Sequence, residues 1–180
     1  MPSLPAFDNV RILCFVGDDY EDLELWYPKL RLEEAGAVVT LAGQISNHKY
    51  IGKNGYPAVS DTDVADMKAN DFDGVIVPGG WMPDKLRRDE HVLRLVAEFE
   101  AQNKLIASVC HGPWIDISAN VVKGYKYTST PGIKDDVINA GAQWIDASLV
   151  VDRNHVSSRR PGDLPDFCKG IIQVLEAQLS

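Results

Sequence analysis

The segment LIASVCHGPW, residues 105–114, places a cysteine and a histidine between an apolar run and a Gly-Pro pair. The apolar run is typical of a buried strand, and Pro113 suits the first turn of a helix, where its missing N–H costs little. Cys110 would then lie at a sharp strand-to-helix turn of the kind that presents a nucleophile. The positive end of a helix dipole favours a thiolate and should lower the pKa of the thiol. We therefore predict that Cys110 is a nucleophile.

Two glycines follow a second apolar run, DGVIVPGG at residues 73–80. Attack on a carbonyl carbon needs hydrogen-bond donors for the developing oxyanion, and backbone amides serve when the chain approaches closely. Gly79 and Gly80 could supply such amides, together with the amide of His111. Tandem glycine is equally common in ordinary turns, because glycine tolerates many backbone conformations.

An acidic segment, GDDYED at residues 17–22, follows the first apolar run. Phosphate-binding α/β proteins need bare amides at this position, which acidic side chains would oppose. No GxGxxG or Walker sequence occurs either. A carboxyl group near a thiolate raises the pKa of the thiol when ionised, but when protonated it donates a hydrogen bond that stabilises the thiolate. One of these acids is therefore a candidate for the chemistry at Cys110.

The elements that must position these residues alternate between strand and helix patterns. Strands are predicted at 10–17, 37–43, 73–80 and 105–112, helices at 21–36, 84–104, about 132–140 and from about 162, and a strand pair within 144–159. Pro28 predicts a kink in the first helix. Repeated β-α-β units form a parallel sheet covered on both faces, with sites at the carboxyl ends of its strands. The conspicuous residues all lie at such ends.

Composition limits the class of protein. The chain has 180 residues, 45% of them hydrophobic, and we expect one domain over residues 1–180. Its 18 basic and 26 acidic residues give a net charge of −8, which opposes binding to nucleic acid or anionic membranes. No long apolar stretch or signal-peptide pattern occurs, so we expect a soluble cytoplasmic protein. Cys14, Cys110 and Cys168 contain no CxxC pair, and we expect no disulfide, metal site or cofactor.

Several segments, in one order along nearly the whole chain, resemble the ThiJ/PfpI family. They are YEDLELWYP, GKNGYPAVSD, FDGVIVPGG, SVCHGP, STPGIKDDVINAGAQWID and VVDRNHVSSRRPGDLP. The resemblance is to the PfpI-type intracellular peptidase branch of the class I glutamine amidotransferase-like superfamily. It implies a three-layer α/β/α sandwich with a mostly parallel, doubly wound, flavodoxin-like sheet, a nucleophile elbow and a small C-terminal β-hairpin.

The resemblance also implies roles for individual residues. Cys110 would be the nucleophile, Glu21 the acid beside it and His111 the partner imidazole. Asp84, where the better known peptidase has glutamate, would orient His111 across a subunit interface, in a homodimer or homohexamer. Aspartate is one methylene shorter than glutamate, so Asp84 would have a shorter reach toward His111.

Two tryptophans are departures from the family pattern. Trp81 and Trp114 flank the expected pocket and would make it narrower and more apolar, favouring a small carbonyl compound. Packing of both at a subunit contact is an equally good interpretation. The resemblance assigns no role to His48, His91 or His155.

Three functions are open for a protein with this Cys-His pair. The first is attack on carbonyl compounds through a thiolate adduct, as a glyoxalase III or deglycase acting on 2-oxoaldehydes or as a peptidase or amidase. The second is a redox or stress-response protein that senses oxidants through oxidation of Cys110. The third is a scaffold with an inert Cys-His pair.

Overall fold

A seven-stranded sheet lies at the centre of the protein. The computed structural model describes residues 6–180. In that part of the chain the strands, numbered in chain order, are β1 (Arg11–Phe15), β2 (Val38–Gly43), β3 (Lys49–Ile51), β4 (Pro57–Val59), β5 (Thr62–Asp63), β6 (Gly74–Val77), β7 (Leu105–Val109), β8 (Lys126–Tyr127), β9 (Gln143–Trp144), β10 (Val150–Asp152) and β11 (His155–Ser158). The large sheet has the order β10-β11-β7-β6-β1-β2-β5, and only its β10–β11 pair is antiparallel. β3 pairs with β4, and β8 with β9, in two small ribbons.

The central strands are buried on both faces. Every residue of β6 and of β7 is buried, as near-continuous apolar runs predict for a covered parallel sheet. Their register pairs Gly74 with Leu105 and Val77 with Ser108, so both strands end at the same edge. The loops after them, which carry the glycine pair and the Cys-His pair, are therefore neighbours.

The helices lie in two groups, one on each side of the sheet. They are α1 (Asp22–Glu34), α2 (Met82–Leu86), α3 (Glu90–Ala101), α4 (Pro113–Ser118), α5 (Lys134–Asn139) and α6 (Leu164–Leu179). α1 packs against α6, whereas α4 packs against α2, α3 and α5. This confirms the predicted α/β fold with a mostly parallel sheet. No helix within residues 6–180 is both long and apolar enough to cross a membrane.

Three elements show features that the sequence did not predict. The single helix predicted at 84–104 is two helices, because the Asp89 side chain accepts a hydrogen bond from the His91 amide at 2.9 Å and begins α3 as a new helix. α1 continues through Pro28. The C-terminal hairpin, β10 and β11, is an extension of the main sheet, because β11 pairs in parallel with β7.

Candidate active site around Cys110

Cys110 lies on a sharp turn, residues 109–112, which we call the elbow. It joins the end of β7 to the start of α4. The φ angle of Cys110 is +61°, in the left-handed region that L-residues rarely adopt. The turn also requires Gly112, because a Cβ atom there would lie 2.4 Å from the Val77 carbonyl oxygen. A strained residue held by its surroundings is typical of a functional position.

Backbone amides and an imidazole surround the sulfur atom. The backbone N–H groups of Gly80 and His111 face the Cys110 thiol and act to lower its pKa. The His111 ring places Nδ1 3.3 Å from Sγ. Gly80 has a φ of +76°, and a Cβ atom at that position would lie 2.3 Å from the Asp19 carbonyl oxygen. This tight turn brings the end of β6 up to the elbow.

The acid beside the thiol is Glu24. Its carboxyl group is fully buried, lies close enough to the Cys110 thiol for each group to affect the pKa of the other, and accepts a 2.8 Å hydrogen bond from the Gly79 amide through Oε2. Its other oxygen, Oε1, is buried and has no hydrogen-bond partner among the described residues. Glu24 belongs to the acidic first turn of α1. It lies three residues beyond Glu21, the acid that the sequence had indicated.

The prediction that Glu21 lies beside the thiol is therefore corrected. Glu21 is the N-cap of α1, and its side chain accepts a 3.0 Å hydrogen bond from the Glu24 amide. A capping side chain folds back onto the first helical turn, so it does not project toward β7. Glutamates at the N-cap and N3 positions resemble a capping box. This spacing was the feature of the sequence that could have identified Glu21 as the cap.

Gly79 is the second correction. Because its amide donates to Glu24, it is not free to bind an oxyanion. A Cβ atom at this position would lie 2.4 Å from Glu24 Oε2 and 2.8 Å from Cys110 Cβ. Glycine is thus required here for close approach of the carboxyl and thiol groups, and the Gly80 and His111 amides are the donors that face the sulfur.

The electrostatics of the pair also differ from the prediction. Burial, and then the nearby Glu21 charge, raise the pKa of Glu24 to about 8. Burial, and then the Glu24 carboxylate, raise the pKa of Cys110 to about 12, against the two backbone amides that lower it. The lowered thiol pKa expected from the helix dipole is wrong for the resting site, because desolvation exceeds the effect of a six-residue helix.

Two tryptophans, Trp81 and Trp114, flank the ring of His111, and we call these three rings the aromatic wall. The ring centroid of His111 lies 5.3 Å from Trp81 and 5.0 Å from Trp114. Trp81 is 58% exposed, whereas Trp114 donates a 2.8 Å hydrogen bond from Nε1 to Asp136. Burial, and then Lys53, lower the pKa of His111, which favours the neutral imidazole. The structure thus brings both predicted pocket residues to the candidate site.

Asp84 does not contact His111 within its own chain. It lies in α2, is about half exposed, and forms a 2.5 Å ion pair with Arg88. The role predicted for it across a subunit interface stays a prediction.

The three unassigned histidines differ in their surroundings. His48 packs edge-on against Tyr50, and His91 lies on the exposed first turn of α3. His155 is 1% exposed and hydrogen-bonds Tyr127 and Glu100, a buried network that sequence reasoning missed. The only indication in the sequence was that His155 lies within the strand pair predicted at 144–159.

Comparison with known proteins agrees with this geometry. A model of the DJ-1/PfpI family matches residues 10–174. A protein named deglycase from Pyrococcus abyssi is 41% identical over 167 residues, which are 93% of this chain and 100% of the relative. Deglycase PfpI from Pyrococcus furiosus is 40% identical over 167 residues, with the same coverage of 93% and 100%.

A solved structure gives the same result for the fold. A two-domain protein containing DJ-1/ThiJ/PfpI-like and ferritin-like domains, from Anabaena variabilis, superposes with a TM-score of 0.91 and 38% identity. The match covers 93% of this chain and 48% of that one, so this chain spans about half the length of that protein. With the family model matching nearly all of its length, the chain belongs to the DJ-1/PfpI family, as the resemblance of its segments predicted.

Proposed function

We propose that the protein is a cysteine-dependent enzyme in which Cys110 adds to the carbonyl carbon of a small aldehyde or glycated compound. The observation that carries this proposal is a thiol on a strained backbone, enclosed by a buried carboxyl group, an imidazole and two backbone amides. Sγ forms a bond to the carbonyl carbon, the thiol proton leaves to a base, and the carbonyl oxygen takes a proton to give a hemithioacetal. Both a 2-oxoaldehyde lyase and a deglycase begin with this addition.

Each group near the sulfur has a role in that addition. Since the pKa of Cys110 is about 12, a base must accept the thiol proton during the attack. His111 Nδ1, at 3.3 Å from Sγ, is placed to accept it. Glu24, with a pKa of about 8, carries a proton at neutral pH and can donate it, while the Gly80 and His111 amides bind the developing oxyanion.

The aromatic wall favours a small substrate. Trp81 and Trp114 narrow the approach to Cys110, which suits a compact carbonyl compound better than an extended peptide. The two Pyrococcus relatives that match over their whole length are named deglycases, which supports the same choice. Peptidase or amidase hydrolysis is the second candidate, and it needs Asp84 of a neighbouring subunit to orient His111. The oxidant-sensing alternative has less support, because peroxide reacts with thiolate and the raised pKa of Cys110 keeps it protonated.

Turnover of methylglyoxal and of a fluorogenic peptide amide separates these activities. We expect the wild type to convert methylglyoxal and Cys110→Ser to lose that turnover. Cys168→Ser is the matched control, because Cys168 is a buried thiol in α6 outside the site. Peptide turnover without methylglyoxal turnover would favour the peptidase, and no turnover of either substrate would contradict the proposal.

Assembly into a homodimer or homohexamer, with Asp84 at the interface, is part of the same proposal. Asp84 and Trp81 are both exposed, and the Trp81 ring centroid lies 5.3 Å from that of His111. Sedimentation of the protein should give the mass of an oligomer, and Asp84→Asn should lower kcat without unfolding it. A monomer that is fully active would contradict a role for Asp84 across subunits.

A further inference from the structure

A buried polar network lies directly beneath the elbow. Its members share one continuous set of side-chain hydrogen bonds and are Ser108, Asp116, Tyr127, His155 and Glu100. All are at most 1% exposed except Glu100, whose side chain is 25% exposed. The function proposed above uses none of them, although Ser108 and Asp116 belong to the two elements that the elbow joins.

Ser108 and Asp116 connect the two sides of the elbow. Ser108 lies in β7, two residues before Cys110, and Asp116 lies in α4, six residues after it. The Ser108 hydroxyl donates to Asp116 Oδ2 at 2.5 Å. The Tyr127 hydroxyl lies 3.0 Å from the same oxygen. The carboxyl group of Asp116 therefore ties the strand to the helix and closes the turn that holds the thiol.

A carboxyl group at this position costs stability. Asp116 is fully buried, no cation contacts it, and its Oδ1 atom has no hydrogen-bond partner among the described residues. Burial raises the pKa of Asp116 to about 6, although hydrogen bonds with Ser108 and Tyr127 oppose the shift. An apolar side chain of similar size would avoid this cost. The cost argues that the hydrogen bonds serve a purpose other than stability.

The network extends from Asp116 to the protein surface. His155 Nε2 lies 2.6 Å from Glu100 Oε2, and His155 Nδ1 lies 2.5 Å from the Tyr127 hydroxyl. Burial would raise the pKa of Glu100, but hydrogen bonds from His155, Tyr125 and Asn154 outweigh it and hold the pKa at about 2. Glu100 is thus a carboxylate, so Nε2 of His155 carries a proton toward it.

The hydrogen bonds from Asp116 to Tyr127 and from Tyr127 to His155 can be arranged in two ways, which differ in where the protons lie. With Asp116 protonated, it donates to the Tyr127 oxygen, and the Tyr127 hydroxyl donates to His155 Nδ1. With Asp116 ionised, the Tyr127 hydroxyl donates to Asp116, and the imidazolium Nδ1–H donates to Tyr127. The arrangements differ by two protons shifted along the chain with no net change in charge. In both, Asp116 stays bonded to Ser108 and Tyr127.

Cys110 needs such a restraint. A left-handed conformation costs a non-glycine residue about 1–3 kcal/mol, so it persists only where the surroundings determine it. If the elbow relaxed, Sγ would move away from the Gly80 and His111 amides that favour its anionic form. A bond that joins β7 to α4 opposes that relaxation directly.

We propose that Asp116 is a positioning residue for Cys110: its hydrogen bonds to Ser108 and Tyr127 hold the elbow in the conformation that places the thiol against the two amides. The Glu100–His155 pair anchors the far side of Tyr127. The proposal rests on the thiol chemistry proposed above but not on any substrate, because the state of the thiol can be measured by itself.

The test is the pH profile of the rate at which iodoacetamide alkylates Cys110, measured below the pKa of the thiol and followed by peptide mass spectrometry. In Asp116→Leu we expect the rate at each pH in this range to fall about tenfold, which corresponds to a rise of about one unit in the pKa of the thiol. Asp116→Asn is the conservative variant: its side-chain oxygen can accept from both hydroxyls, so the profile should stay close to wild type. A leucine profile like wild type, or an asparagine profile shifted as far as the leucine one, would overturn the proposal.

Two further variants keep the test independent of folding. Ser108→Ala removes only the strand side of the connection and should lower the alkylation rate at each pH, as Asp116→Leu does. Ser60→Ala, at a hydrogen-bonded buried serine in the loop between β4 and β5, is the matched control and should leave the profile unchanged. If Ser108→Ala leaves the profile unchanged, the proposal fails even where Asp116→Leu does not fold. Because alkylation requires no turnover, an inactive protein would contradict the proposed enzyme function without deciding this one.

Discussion

At the scale of single residues, the site depends on where one proton resides. Glu24 and Cys110 are buried together, and the Glu24 carboxylate raises the cost of ionising the Cys110 thiol. Without substrate the thiol is a weak nucleophile, because its raised pKa keeps it protonated. In the addition proposed above, the thiol becomes reactive when a bound carbonyl compound supplies the electrophile and His111 removes the proton.

Glu24→Gln tests this interpretation through two opposite effects. Loss of the proton donor should lower kcat by about a hundredfold or more. Loss of the carboxylate, which raises the pKa of Cys110, should at the same time make the thiol easier to alkylate above pH 8. Glu21→Gln is the matched control, because glutamine can still cap α1. Equal losses of kcat in the two variants would contradict the assignment of Glu24.

The pH dependence of turnover follows from the same carboxyl group. A raised pKa of about 8 means that Glu24 is protonated below that pH and ionised above it. If its proton is used in the reaction, kcat should fall as the pH rises through about 8, and this fall should be absent in Glu24→Gln. A wild-type profile that keeps rising to pH 10 would show that the proton of Glu24 is not needed.

At the scale of elements, the site is formed where three chain turns meet. The first turn of α1 carries Glu24, the loop after β6 carries Gly79 and Gly80, and the elbow carries Cys110. Each approaches the others more closely than a side chain would allow, so glycine at the contact points is a steric requirement.

Gly112→Ala tests that requirement at the elbow. Its Cβ atom would lie 2.4 Å from the Val77 carbonyl oxygen, and backbone atoms cannot move aside cheaply. We expect a loss of about 2–4 kcal/mol in the free energy of unfolding, measured with urea. Gly132→Ala is the control, because that position has open space around it and should change stability by less than ~1 kcal/mol. Equal stability of the two variants would show that the elbow is less constrained than its geometry indicates.

At the scale of the whole molecule, the buried network links the elbow to the partly exposed Glu100 at the surface. Glu100 in α3, with a folded pKa of about 2 against an ordinary value of 4.5, stabilises the fold above pH 4.5 and loses this effect as the pH falls to 2. Glu100→Gln removes the ionisable group and keeps a side chain of the same size and shape.

Acid unfolding measures this contribution. The wild type should lose on the order of 2 kcal/mol of unfolding free energy between pH 5 and pH 2 that Glu100→Gln does not lose, after allowance for partial exposure. Thermal denaturation followed by circular dichroism at each pH gives the comparison. Parallel curves for the two proteins would mean that the His155–Glu100 pair contributes nothing to stability in acid.

Local patterns were enough to predict much of this protein. Continuous apolar runs predicted β6 and β7, because a strand covered on both faces has no polar side. The Gly-Pro pair after Cys110 predicted the strand-to-helix turn, because both residues have strong backbone preferences. Since parallel strands end at one edge, their order alone also predicted that the loops after these two strands would meet.

Only the tertiary structure decided which polar groups touch. Whether Glu21 or Glu24 reaches the thiol depends on the exact rotation of α1 over the sheet, which differs by less than one helical turn between the two. The amide of Gly79 is occupied only because Glu24 arrives there, and the thiol pKa depends on the resulting burial. Asp116 and His155 are 39 residues apart in sequence and connect only when β11 pairs with β7. Backbone preferences are local and can be read along the chain, whereas desolvation and side-chain contacts exist only once the chain has folded.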